Sequence, residues 1–207
     1  MRTIAHPQSD RGNDLYETPP AATRALLKVE ALPQIIWEPA SGRGAICKVL
    51  REFGHSVIAS DITQYDFGLD FVSDFLAQKK TPPGCETILT NPPYQRAILN
   101  KFIRHALDLA PHVAMLLRLP FLESVERTDI IENRGLARVH IFRDRLPMMH
   151  RDGWEGPRAT NAVAFGWFVW NRTHVGPPTL HRISCKKSAA PEQTLLPLLS
   201  GKDSPRP

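Results

Sequence analysis

Cysteine is scarce in this chain, and its pattern excludes two chemistries. Cys47, Cys85 and Cys185 are odd in number and far apart, with no Cys-x-x-Cys pair and no Cys/His cluster. A disulfide framework or a tetrahedral zinc site needs more ligands at closer spacing, so no metal site is expected. Free thiols in a reducing, cytoplasmic setting are the expectation. Long apolar runs are missing too. No stretch approaches the roughly 20 residues that cross a bilayer, so no membrane partner is expected. Residues 1–14 are polar, and no secretory signal is expected there. No internal repeat is visible, which excludes solenoids and propellers. His105, His112, His140, His174 and His181 share no spacing and read as surface or packed residues rather than ligands.

What is present suits a globular enzyme. Hydrophobic residues make up 42% of 207, enough for one domain with a real core rather than a disordered chain. The net charge is +5 with a pI near 9.3, a modest basic excess that suits a polyanionic partner but is shared by many ordinary proteins.

Residues 1–14 read as an N-terminal arm, and residues 185–207, rich in proline and lysine, as a basic tail. Between them lies the expected folded domain, 15–184. Its apolar runs alternate with helical patterns. Helices are predicted over 20–29, 44–53, 95–108 and 123–133. Strands are predicted over 34–38, 56–60, 87–90, 113–117, 138–142 and 164–170. This rhythm predicts an α/β fold, a mostly parallel sheet with helices on both faces. Only 143–161 breaks it, too long for a tight turn and without helical period.

Three segments carry candidate chemistry. Glu38-Pro39-Ala40-Ser41-Gly42-Arg43-Gly44 follows the first predicted strand and opens a helix. Glycines there let backbone approach a ligand, and the helix start offers N–H dipoles to a carboxylate. Taken alone, this is equally an ordinary strand-to-helix turn. Asp61 ends the second strand about 20 residues on, where nucleotide-binding α/β folds place a ribose-binding acid; a cap or turn residue is the plainer alternative. Asn91-Pro92-Pro93-Tyr94 follows the third strand, at the sheet edge where open α/β folds bind ligands. Its prolines donate no N–H. They leave the Asn91 amide, the Pro92 carbonyl and an aromatic ring, a set that suits an exocyclic amine held in plane beneath a stacked ring. By itself the tetrapeptide also reads as a proline-rich turn with a packed tyrosine.

Together these motifs resemble the class I S-adenosylmethionine-dependent methyltransferases of the N6-adenine, Asn-Pro-Pro-Tyr type. Tyr16-Glu17-Thr18-Pro19-Pro20 is similar to that family's N-terminal cofactor motif. Ser73-Asp74-Phe75-Leu76 is similar to its acidic-aromatic motif. The motif order resembles the gamma group, and Leu117–Leu122 with Phe168-Val169-Trp170 resemble small phage-type enzymes. The likeness covers about residues 15–183. It implies a Rossmann-like class I methyltransferase fold with a seven-stranded sheet, and S-adenosylmethionine as cofactor. It further implies that Tyr16, Thr18 and Pro19 line the methionine end of the cofactor, and that Glu38, Pro39, Ala40, Gly42 and Gly44 surround it. Asp61 would hold the ribose hydroxyls. Asp74 would accept from the cofactor's adenine amine, with Phe75 and Ile62 against the ring. Asn91 and the Pro92 carbonyl, beside Pro93, would bind the target amine, and Tyr94 would stack on the target base. The implied activity is methyl transfer to the N6 amine of adenine in DNA, from a base flipped out of the duplex.

Larger DNA enzymes of this type carry a separate recognition domain, which this length does not accommodate. The 143–161 segment is the expected substitute, with Arg143, Arg145, Arg151 and Arg158 for phosphates or guanine edges and Trp154 for stacking. A solvated basic loop is the plainer reading. Three rival functions remain: an RNA adenine methyltransferase, a protein glutamine methyltransferase, and a catalytically inactive cofactor-binding partner. The glutamine enzymes carry an extra N-terminal helical domain. The intact Asn91–Tyr94 and glycine loop argue against the inactive reading.

Overall fold

A computed structural model describes residues 17–146 and 163–186. Eight strands form one sheet: β1 (Ile35–Glu38), β2 (Ser56–Asp61), β3 (Phe71–Val72), β4 (Thr87–Thr90), β5 (His112–Arg118), β6 (Leu136–Phe142), β7 (Phe165–Asn171) and β8 (Thr179–Ile183). Their order is β3-β2-β1-β4-β5-β7-β6-β8. All pairings are parallel except those of β7, which runs antiparallel to β5 and β6. The helices are α1 (Pro20–Leu27), α2 (Ala45–Glu52), α3 (Arg96–Leu109) and α4 (Thr128–Glu132).

The central strands are short and nearly all apolar because they are covered on both sides. In β5, Ala114 and Leu116 face the α1/α2 layer, while Val113, Met115 and Leu117 face the α3/α4 layer. β7 does the same with larger residues: Phe165, Trp167 and Val169 on one side, Phe168 and Trp170 on the other. Its indoles are buried with their donors satisfied, Trp167 to the Ala22 carbonyl at 2.9 Å and Trp170 to that of Ile130 at 3.0 Å. A buried indole N–H without an acceptor would cost about 1–3 kcal/mol.

The sheet has eight strands where seven are implied by the resemblance; the addition is β8, paired parallel with β6. Four of its five residues are exposed. It therefore carries no alternation to read; edge pairing holds it, and of its side chains only Ile183 reaches the core. The helix expected over 123–133 forms only in its second half. Ser124 takes φ 113° and its hydroxyl accepts from the Glu126 N–H, which starts a 3-10 turn at Val125–Arg127 before α4. The chain order reverses between β1 and β4, so the carboxyl ends of these strands open a crevice, the usual ligand position in such folds.

Candidate active site

The crevice is a cavity of about 330 Å³, and most of the expected site residues line it. Glu38, Pro39 and Ala40 come from the end of β1, Asp61 and Ile62 from β2, Asp74 and Phe75 from the turn after β3, and Asn91, Pro92, Pro93 and Tyr94 from the end of β4. Thr18 closes one side. Pro19, Gly42 and Gly44 do not line it; they set the backbone around it. Gly44 has φ +74°, and a Cβ there would lie 2.2 Å from the Phe67 ring. No other residue fits without moving that ring. Tyr16, Arg151, Trp154 and Arg158 lie outside the described residues.

Asp61 has a local task that its sequence position does not reveal. Its two carboxylate oxygens accept from the Gly42 N–H at 2.9 Å and the Thr63 N–H at 3.0 Å. The acid thereby ties the glycine loop to β2 and is itself fixed in direction, with lone pairs left for a ligand. Asp74 accepts from the Leu76 N–H through one oxygen at 2.9 Å, and its other oxygen has no partner among the described residues. Ile62 and Leu76 leave apolar surface open at the lip, 68% and 36% exposed. Phe75 borders the cavity with one part of its ring and is otherwise packed away, 4% exposed. Its ring packs edge-on against Trp37 at 5.3 Å and tilted, at 38°, against Phe102 at 4.3 Å. It belongs to the core because α3 covers the turn after β3.

Glu38 is the most unusual group. It is 2% exposed, and among the described residues it has no cationic partner within ion-pair distance. The Cys47 thiol donates to its Oε2 at 2.7 Å. Burial pushes the Glu38 carboxyl up to about 8, and the neighbouring charge of Asp61 adds to the rise against the lowering hydrogen bond from Cys47. Burial and the Glu38 charge raise the Cys47 thiol well above its ordinary range, so it is an inert donor. A buried carboxylate facing a cavity without a counter-charge suits an ammonium group.

At the other end of the cavity, the Tyr94 hydroxyl lies 2.7 Å from both the Asn91 Oδ1 and the Leu116 carbonyl oxygen. It joins the end of β4 to β5 and fixes both the ring and the Asn91 amide. The Pro92 carbonyl accepts no hydrogen bond among the described residues. The ring of Tyr94 meets Phe165 at 6.1 Å and 85°, and the Arg118 guanidinium lies over it at 4.9 Å. Cys47 was not read as a site residue in the sequence, and Arg118 entered only within the Leu117–Leu122 resemblance, without a role. A charge ending the apolar run of β5 is the signal that pointed to Arg118; nothing local marked Cys47.

Of the 143–161 segment, residues 143–146 are described. Arg143 and Arg145 are exposed just beyond β6, at the sheet edge that also carries Asn91. Leu146 is buried in the core.

No protein-family model matches the sequence, and no curated protein matches it. Solved structures share the fold. One, assigned as an RNA methyltransferase of Pyrococcus horikoshii, has 14% identity and a TM-score of 0.55, over 75% of this chain and 86% of the other. A class I S-adenosylmethionine-dependent methyltransferase assigned in Listeria monocytogenes has 12% identity and a TM-score of 0.56, over 83% and 67%. A modification subunit of a type I restriction enzyme assigned in Vibrio vulnificus has 15% identity and a TM-score of 0.53, over 90% of this chain. The match spans about half, 49%, of that subunit. The chain has the mixed α/β, Rossmann-like fold of these methyltransferases.

Proposed function

We propose that this chain binds S-adenosylmethionine in the crevice and transfers its methyl group to the N6 amine of an adenine in nucleic acid, DNA first. The observation that carries the reading is the meeting, in one cavity, of an uncompensated buried carboxylate at Glu38, the acids Asp61 and Asp74, and the Asn91–Tyr94 acceptors. The residues fit the cofactor. Glu38 offers a counter-charge to the amino-acid ammonium, the Asp61 carboxylate accepts from ribose hydroxyls, and the free oxygen of Asp74 accepts from an adenine amine. Ile62 and Phe75, with Leu76 beside them, supply apolar cover for that ring.

When bound, S-adenosylmethionine would supply an electrophilic sulfonium methyl. The protein's part is to present the nucleophile. An adenine N6 lone pair is delocalised into its ring. The Asn91 oxygen and the Pro92 carbonyl accept its two N–H groups, favour a more tetrahedral nitrogen and turn the lone pair towards the methyl. Positioning and fixed dipoles supply the acceleration. The methylated amine then loses its proton to water.

The DNA and RNA readings share this site, and the folds of the restriction modification subunit and of the RNA methyltransferase support a nucleic-acid substrate equally. The test is a parallel transfer assay with radiolabelled S-adenosylmethionine on duplex DNA, single-stranded DNA, RNA and cell protein. We expect label on nucleic acid and DNA to be the better substrate. Label confined to protein would replace this reading with the glutamine one.

A further inference from the structure

We infer that Arg118 is a substrate-contacting residue of this site, holding the phosphate beside the acceptor base. The inference rests on the nucleic-acid reading above and adds a residue to it. Arg118 ends β5, next to β4 in the sheet, and Thr90 of β4 is level with Met115. That register brings Asn91 alongside Leu116, whose carbonyl lies 2.7 Å from the Tyr94 hydroxyl. Arg118, two residues further along β5, is therefore at the mouth of the crevice.

Its surroundings set it apart from other arginines. Arg24, Arg104, Arg134 and Arg138 are each tied to a carboxylate. Arg118 is exposed and has no hydrogen-bond or ion-pair partner among the described residues. Instead, it lies over the Tyr94 ring at 4.9 Å. That ring is itself held by its hydroxyl at Leu116 and Asn91. An aromatic face holds a guanidinium through its charge and consumes none of its five N–H donors. The result is a cation with unused donors, stacked on the ring whose hydroxyl lies 2.7 Å from the Asn91 Oδ1 proposed to hold the target amine. Planar, forked donors with full charge match a phosphodiester. A carboxylate, by contrast, would have spent those donors within the protein. A base that reaches Asn91 brings its own 5′ and 3′ phosphates to this mouth, which is where Arg118 stands.

The experiment compares wild type, Arg118→Gln and Arg118→Lys on a duplex oligonucleotide with one acceptor adenine. kcat and KM are measured across a salt series. The linkages flanking the adenine are either phosphodiester or neutral methylphosphonate. Affinity for S-adenosylhomocysteine checks the fold and should be equal in all three proteins. For Arg118→Gln we expect KM to rise roughly 10- to 100-fold, the effect of one lost charge-assisted contact. kcat should change little, since the contact is made equally in ground and transition states. The salt slope should fall by about 0.9. The neutral linkage should weaken wild type and leave Arg118→Gln unaffected, while Arg118→Lys should keep the slope and lose part of the affinity. An unchanged slope in Arg118→Gln, or a loss confined to kcat, would show a mere prop for Tyr94 and overturn the inference. If wild type methylates no nucleic acid at all, the parent reading fails. If wild type is active and Arg118→Gln matches it, only the inference fails.

Discussion

Glu38 shows how one residue can connect the stability of the chain to its ligand. Its carboxyl has no ion-pair partner among the described residues, and burial holds its pKa up at about 8 against an ordinary 4.5 despite the more distant charge of Arg51. Between these two values the folded protein retains a proton that the unfolded chain has released. Stability of the ligand-free protein therefore falls as pH rises through that window, by up to about 1.4 kcal/mol per pH unit. A ligand bearing an ammonium reverses the preference, because the ionised carboxylate then gains a partner. The expected outcome is a melting temperature that declines from pH 5 to 8 in wild type and is flatter in Glu38→Gln. Binding of S-adenosylhomocysteine should release a proton at pH 7 in wild type only. Calorimetry in buffers of different ionisation enthalpy reads that release. Parallel melting curves and no difference in proton release would remove Glu38 from the cofactor site.

Elements hold these residues in place through contacts that are long in sequence and short in space. The loop from β1 to α2 depends on Gly44, whose positive φ turns the chain and whose missing Cβ makes room for Phe67. The Phe67 ring in turn has Lys48 and Arg51 of α2 over it, each 5.4 Å from its centroid. Gly44→Ala should cost about 1–3 kcal/mol from backbone strain, with further loss from displacing the ring. Its cofactor affinity should fall with it, because the loop that Asp61 ties through Gly42 must shift. Thermal melting and titration calorimetry check both; an unchanged affinity would mean the loop only connects its strand and helix. The same elements explain what was legible in sequence. The apolar runs of β4 and β5 and the amphipathic α3 were readable because burial on both faces or on one stripe leaves a pattern. β8 left none, since edge pairing stabilises it and only Ile183 of its five residues is buried. The 3-10 turn at Val125–Arg127 was hidden because it depends on the Ser124 backbone and on the Arg127 guanidinium, which donates to the carbonyls of Phe121 and Glu123. Within the site, Asn91, Asp61 and Glu38 were found by their place at strand ends. The Glu38–Cys47 contact and the Arg118–Tyr94 stack were not, because each joins two elements whose register only the fold defines.

For the whole molecule, the sheet collects at one edge the ends of β1, β2, β4, β5 and β6, and with them the groups proposed to bind cofactor, base and backbone phosphate. Arg118, Arg143 and Arg145 all emerge there, where a polyanion would approach the crevice. We propose the 143–161 segment, whose described start at Arg143 and Arg145 lies at this edge, as the recognition element. We propose, more narrowly, that this crevice methylates adenine at N6 and that Asn91 presents the amine. The direct measurement is to incubate DNA with S-adenosylmethionine and either wild type or Asn91→Ala, digest the DNA to nucleosides, and quantify N6-methyladenine by mass spectrometry. Wild type should accumulate N6-methyladenine, while Asn91→Ala should be slower by about 10²–10³-fold with its cofactor affinity nearly intact. Methylation at another position, or an Asn91→Ala variant retaining more than about a tenth of the wild-type rate, would contradict the account.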